Sequence, residues 1–221
     1  EKVRRNNAVV DSAVLVAYGV DNEGNRRILG VSVALSEQET HWRDFLESLV
    51  KRGLHGIKLV ISDAHTGLKA ARKAVFPSVP WQRCQFHLQQ NAQSYVPKKS
   101  MKVQVAADIR AILQAPDGEE AKRLLNKMMK KYEVLAPDLA RWMEHNVPES
   151  LTIMQFEEAH RKKIRTSNIA ERCNREIKRR TRLASIFPNV ESCLRLVSAV
   201  LVEIDEDWQT GRSYIASDAK Q

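Results

Sequence analysis

The sequence predicts an α/β fold, and three observations carry that prediction. The first third of the chain alternates β-rich apolar runs with turn chemistry and one stretch of helical periodicity. From about Lys98 to Pro148 the strand signals vanish and only helical patterns remain. Two further helical segments then close the chain. With 221 residues there is enough chain for one domain carrying an insertion, or for two small domains.

Taken in order, Ala13–Val20 and Ile28–Leu35 are apolar, β-rich runs joined by Asp21-Asn22-Glu23-Gly24-Asn25, so they predict a hairpin. Glu39–Lys51 changes to helical spacing, with Trp42, Phe45, Leu46, Leu49 and Val50 on one face. After Gly53 and Gly56, Ile57–Ile61 is a short buried strand ending at Ser62-Asp63, and a helix follows over about His65–Val75. Pro77 and Pro80 frame another short strand, Trp81–Phe86. Met101–Leu113, Gly118–Tyr132 and Pro137–Asn146 are three helices separated by Pro116 and Pro137. The closing pair is Ser167–Arg182 and Val190–Trp208, the latter with a stripe of Val190, Leu194, Val197, Leu201, Ile204 and Trp208. No internal repeat and no low-complexity segment interrupts this order.

Composition excludes several classes. No apolar run approaches the roughly 20 residues a membrane-spanning helix needs. The opening Glu1-Lys2-Val3-Arg4-Arg5 is not a signal peptide, and the missing initiator Met points to a fragment. Three cysteines, Cys84, Cys173 and Cys193, make no disulfide framework, so a reducing cytoplasm is expected. Net charge is +9, and its location is informative: Arg161–Arg182 holds ten Lys/Arg against Glu171 and Glu176, a local +8. A concentrated basic stripe points to contact with a phosphate backbone.

Few residues stand out chemically. Asp63 ends a buried strand, where functional groups gather in open α/β sheets, although the same position suits a helix cap. Glu171 lies in the most basic helix. At 100° per residue, Ile169, Cys173 and Ile177 form a narrow apolar stripe, with Glu171, Arg175, Lys178 and Arg182 opposite and Asn168 at the edge. An ordinary Glu171–Arg175 pair on a solvated helix is the competing account. Cys84-x-x-His87 has half the spacing of a zinc site, but no second ligand pair exists. Trp142, beside Arg141, is either a core residue or a platform for an unpaired base.

Together these residues resemble the Mutator-type transposases of bacterial insertion sequences. The resemblance runs through Lys2-Val3-Arg4, Arg27–Gly30, Ser62-Asp63-Ala64-His65-Thr66-Gly67-Leu68 and Trp81–His87. It continues through Arg141-Trp142, Thr166–Arg182, Ile186–Asn189 and Glu206–Gln209. The Asn-x-x-Glu-x-x-Asn-x-x-x-Lys-Arg-Arg block at residues 168–180 is its most specific part.

The resemblance implies a ribonuclease H-like mixed sheet flanked by helices, with residues 1–88 and 159–221 forming the core and 89–158 an all-helical insertion. It implies an Asp-Asp-Glu active site, in which Asp63 matches the second Asp and Glu171 the Glu, binding Mg²⁺ or Mn²⁺. The first Asp would precede Lys2-Val3-Arg4 and so falls before Glu1; Asp11 is no substitute, and the 221 residues alone are expected to be inactive. Cys84, His87, Arg141, Trp142, Asn168, Arg175, Lys178, Arg179 and Arg182 are implied DNA contacts. The implied partners are transposon ends and target DNA, with a homodimer as the active form, in the bacterial cytoplasm at the nucleoid. Carboxylates suit the chemistry, because two Mg²⁺ about 4 Å apart serve in-line displacement at phosphorus and take oxygen ligands. A ribonuclease H-like nuclease or resolvase without joining activity would use the same site. A non-catalytic DNA-binding module would need only the basic helix.

Overall fold

The computed structural model describes residues 1–211 and 213–215. The chain is mixed α/β and divides into two compact units: residues 1–57, 65–78 and the described residues from 168 onward form the first, residues 58–64 and 79–167 the second.

The first unit is built on the predicted hairpin. β3 (Ala13–Val20) pairs antiparallel with β4 (Arg26–Ala34), with one irregularity at Ala17/Tyr18. Both faces of this ribbon are covered, which is why its sequence runs apolar instead of alternating with polar residues. Ala13, Leu15 and Ala17 pack with Phe45 and Leu49 of α1 (Glu39–Lys51). Val14, Val16 and Tyr18 pack on the opposite side with Cys193, Val197 and Leu201 of α9 (Val190–Thr210) and Ile177 of α8 (Asn168–Thr181). α2 (Thr66–Val75) lies against α1. The ribbon is fastened to α9 by Asp205, whose carboxylate accepts the Ile28 N–H at 2.8 Å.

A second hairpin, absent from the sequence prediction, joins β1 (Lys2–Arg5) to β2 (Ala8–Asp11). Its two-residue turn is Asn6-Asn7, both at positive φ (45° and 64°), the backbone a tight hairpin demands and Asn tolerates. Val3 is wholly buried and bridges to Phe187 in parallel register, anchoring the hairpin beside α8 and α9.

The second unit pairs β5 (Val60–Ser62) with β6 (Trp81–Arg83) in parallel and continues as helices α3 (Gln85–Ala92), α4 (Lys102–Leu113), α5 (Gly118–Leu135), α6 (Pro137–Asn146) and α7 (Glu158–Ile164), with short 3₁₀ turns between them. Asp117 caps α5 by accepting the Glu120 N–H at 2.8 Å, and Pro137 opens α6. Ile109, Ile112, Tyr132, Leu139 and Met143 form its core. Gln82 knits β6 to the end of this block: its amide nitrogen donates to the Ser150 carbonyl (2.8 Å) and its amide oxygen accepts from Ile153 N–H (2.9 Å).

Several helix ends shift by one to three residues from the sequence prediction, and two strands and two apolar faces differ more. The strand expected at Ile57–Ile61 is only Val60–Ser62, because its partner β6 offers three residues to pair with. The strand expected through Phe86 stops at Arg83, and Gln85–Ala92 is helical because Gln85, Leu88 and Ala92 are buried on one helical face. Val50 is exposed, whereas Cys193 and Val200 join the buried stripe of α9. Among the described residues the strands form three separate pairs, not one continuous sheet.

Candidate functional site

Asp63 follows the last residue of β5 directly and is exposed. Helix α2 begins at Thr66 with His65 in the capping position, so Asp63 is not its N-cap. Next to it along the strand, the Ser62 carbonyl accepts the Cys84 N–H at 2.7 Å, and the Ser62 hydroxyl accepts from the Trp81 indole at 2.9 Å. The strand end that presents Asp63 is therefore held by two hydrogen bonds from the β6 side.

Cys84 is wholly buried; its thiol sulfur accepts the Ser167 N–H at 3.4 Å. It occupies the N-cap position of α3, and His87 is half-buried in the first turn of that helix, its ring edge-on to Phe86. The sulfur and an imidazole nitrogen lie within 4.8 Å of each other. Burial removes Cys84 from direct contact with a ligand as large as DNA, and its place is a structural one beneath Asp63's strand and the residue preceding α8. His87 keeps an accessible edge.

Glu171 sits half-buried in the first turn of α8, where a carboxylate is favoured by the helix dipole. Cys173, Ile177 and Thr181 make the buried face of this helix, while Asn168, Arg175, Lys178 and Arg182 are exposed, as the periodicity predicts. Burial pushes the Cys173 thiol up to about 11, so it is a neutral core group without nucleophilic character.

The basic stripe is less uniform than its composition implies. Arg161 belongs to the second unit and spends its guanidinium on the carbonyls of Phe156, Pro116 and Met154. Arg179 grips Glu176 through two hydrogen bonds (2.8 and 2.6 Å), and Arg180 bridges Glu176 and Glu203, both at 2.9 Å. These guanidinium bonds hold the Glu176 carboxyl down at about 2. Among the described residues, Arg175, Lys178 and Arg182 make no ion pair. With Lys2 and Arg179 they line an open cleft of about 720 Å³ in the first unit, which Glu1 and Asp11 also border. Lys2 escapes a reading confined to the basic helix; the signal for it was the short strand Lys2–Arg5 beside an Asn-Asn turn.

Arg141 is exposed on α6 and pairs with Asp138 one turn earlier. Trp142 is only 8% exposed, stacked on Tyr95 (5.4 Å between centroids) with the Arg83 guanidinium 5.7 Å from its ring. It is a core residue of the helical block, leaving no open face for a base. Trp208 is likewise structural, edge-on to Tyr18 and 4.8 Å from the Arg26 guanidinium. No helix among the described residues is long and apolar enough to cross a membrane.

An exposed strand-end aspartate, a glutamate on the polar face of a basic helix and a cationic cleft define a protein equipped to handle a polyanion. Comparison with known proteins specifies the family. Residues 1–211 match the family model described as transposase, Mutator family. The chain is 56% identical to the transposase for insertion sequence element IS406 of Burkholderia multivorans, over 97% of its own length and 55% of that protein. It is 42% identical to the ISRM5 transposase of Rhizobium meliloti (99% and 54%) and 34% to the IS256 transposase of transposon Tn4001 in Staphylococcus aureus (98% and 56%). The chain belongs to the Mutator family of transposases, and it spans about half the length of these relatives.

Proposed function

We propose that this chain carries the catalytic part of a transposase that cuts DNA phosphodiester bonds and joins the freed 3′ ends to target DNA. The observation that carries this reading is the family match over residues 1–211, with carboxylates at the two positions where the resemblance requires them, Asp63 and Glu171. The donor set fits a divalent ion: both are hard oxygen ligands, one exposed at a strand end and the other on a helix's polar face, the kind Mg²⁺ or Mn²⁺ prefers. Asp63 and Glu171 would hold the ion, which when bound supplies Lewis-acid stabilisation at phosphorus.

The remaining roles follow from position. Asp63 directly follows β5, which pairs with β6, and Glu171 shares α8 with the buried Cys173 and Ile177. Arg175, Lys178 and Arg182 hold the phosphate backbone, contributing affinity and register instead of sequence choice. His87 contacts DNA or orients the site. In this reading the sheet pairs belong to a ribonuclease H-like core, residues 89–158 are its helical insertion, and the working form is a homodimer on transposon ends and target in the bacterial cytoplasm.

The test is a nicking assay on supercoiled DNA with Mg²⁺ and with Mn²⁺, by the transposase carrying these residues, followed by strand transfer of labelled ends. Activity should fall at least about a hundredfold in Glu171→Gln and in Asp63→Asn, the scale of losing one charge-stabilising group. Full activity in either variant defeats the assignment, and cutting without joining would make the protein a nuclease or resolvase.

A further inference from the structure

We infer that the cleft between α8 and the β1–β2 hairpin seats the sugar-phosphate backbone of double-stranded DNA, with Lys2 as its second cationic wall and Asp11 as a built-in charge that limits its affinity. This rests on DNA being the substrate, as proposed above.

One wall is a row of cations. Arg175 and Lys178 lie on α8 and Arg182 directly follows its last residue, its N–H still donating to the Lys178 carbonyl at 3.1 Å. At spacings i, i+3 and i+7 all three are exposed and, among the described residues, without an ion-pair partner. At about 1.5 Å rise per residue the row covers about 10 Å. That matches about three base steps of duplex at about 3.4 Å each. The other wall follows from strand periodicity. Lys2 pairs with Asp11 and Val3 with Val10 across the hairpin. Since Val3 is committed to the core, Lys2 and Asp11 are turned to the outer, exposed face, and both border the cleft. A concave surface dominated by one sign of charge focuses its field on an incoming polyanion.

Beside Glu1, whose carboxylate accepts the Thr181 hydroxyl at 3.0 Å, Asp11 is the acidic group in this lining. It is exposed and its side chain carries no part of the core, yet it places a negative charge where phosphates would lie and sits directly across from Lys2. It therefore opposes binding by repelling phosphate. A unit charge about 8 Å from a phosphate in water changes affinity roughly twofold. Such a brake suits an interaction that must be released as well as formed.

The experiment is a fluorescence-anisotropy titration of a short labelled DNA duplex of arbitrary sequence, over a range of salt, with this 221-residue chain and its Lys2→Ala, Asp11→Asn and Arg175→Ala variants. Circular dichroism and the urea midpoint should be unchanged, since all three side chains are exposed. Lys2→Ala is expected to weaken binding and to reduce the slope of log K against log salt by about 0.9, one phosphate contact. Asp11→Asn is expected to tighten binding roughly twofold. If Arg175→Ala lowers the slope while Lys2→Ala and Asp11→Asn leave binding as it was, the hairpin is not a wall and the inference falls, with the DNA reading intact. If the unaltered chain fails to bind duplex at all, the DNA reading itself fails. Tighter binding of an RNA duplex of equal length would overturn DNA as the occupant.

Discussion

Replacing Gly67 with alanine sets helix propensity against packing, and the distances decide for packing. Gly67 is buried in the first turn of α2, pressed against the chain entering α1. A Cβ there would meet the Glu37 carbonyl oxygen at 2.3 Å, the Gln38 carbonyl carbon at 2.9 Å and the Glu39 nitrogen at 2.9 Å. Alanine gains at most about 1 kcal/mol over glycine in a helix, and less in a first turn. All three clashing atoms are backbone, so no side chain can swing aside to relieve them. Reaching ordinary contact near 3.4 Å requires the start of α1 and α2 to part by about an ångström. Overpacking of this kind costs about 1–3 kcal/mol, and a rigid main-chain obstacle puts it at the upper end. The net expectation is a loss of about 1–2 kcal/mol. In urea, with m about 2 kcal/mol/M, the midpoint should fall by roughly 0.5–1 M at unchanged m. Trp42, on α1 and packed near Phe45, is a suitable fluorescent reporter. A midpoint equal to or above that of the unaltered chain would refute the reasoning and show that α2 sits further from α1 than described.

Two further predictions concern the helical block and the basic helix. Asp108 is buried and accepts hydrogen bonds from Gln104 (2.9 Å), Lys131 (2.5 Å) and Tyr132 (2.5 Å). Burial alone would raise its carboxyl, but these donors outweigh it and hold the group below the usual carboxylate range. A depressed folded value means that the stabilisation is whole above the unfolded pKa of about 3.9 and drains as pH falls through the lower folded one. Asp108→Asn should therefore cost about 1–2 kcal/mol near neutrality and flatten the acid limb of a stability–pH curve; an acid limb parallel to the unaltered protein's would count against this. Glu176→Gln should release Arg179 and Arg180 on α8, tightening DNA binding and steepening the salt slope by about 0.9 for each arginine that gains a phosphate. With its carboxyl held near 2, Glu176 stays ionised throughout the working range, so the gain should not depend on pH between 5 and 8. An unchanged slope would mean the two arginines point away from DNA even when freed.

What the sequence made legible follows a physical pattern. α1 and α6 begin and end at their predicted residues because apolar spacing and a flanking Pro or Gly coincide there. The β3–β4 hairpin was legible because Asp21–Asn25 is strong turn chemistry between two runs buried on both faces. The β1–β2 hairpin was not, because Val3 is the single buried residue among its eight strand residues, too few to register as alternation. Helix α3 was hidden for a different reason: its inward face uses Gln85, a polar residue whose amide donates to the Ser150 carbonyl, in place of an apolar one.

Charge tells the same lesson more sharply. Counting along residues 161–182 finds a run of cations, but their availability is set by partners the count cannot see. Arg161 is consumed by three carbonyls, one of them 45 residues earlier at Pro116, and Arg180 by Glu203 from the next helix. The cleft recovers a cation from Lys2, which is 173 residues before Arg175 in the chain. Asp63 and Glu171 mark the limit from the other side. An aspartate after a strand and a glutamate in a first helical turn are common structural features, and no spacing rule singles them out at a separation of 108 residues. Their assignment came from the family resemblance, while the packing explains only how each is held in place. The decisive measurement is therefore one in which the two are varied together. If they act on one ion, the double variant should be no worse than either single one, since residues acting as a unit are strongly non-additive. Losses that multiply would show two independent contributions and separate Asp63 from Glu171 as a pair.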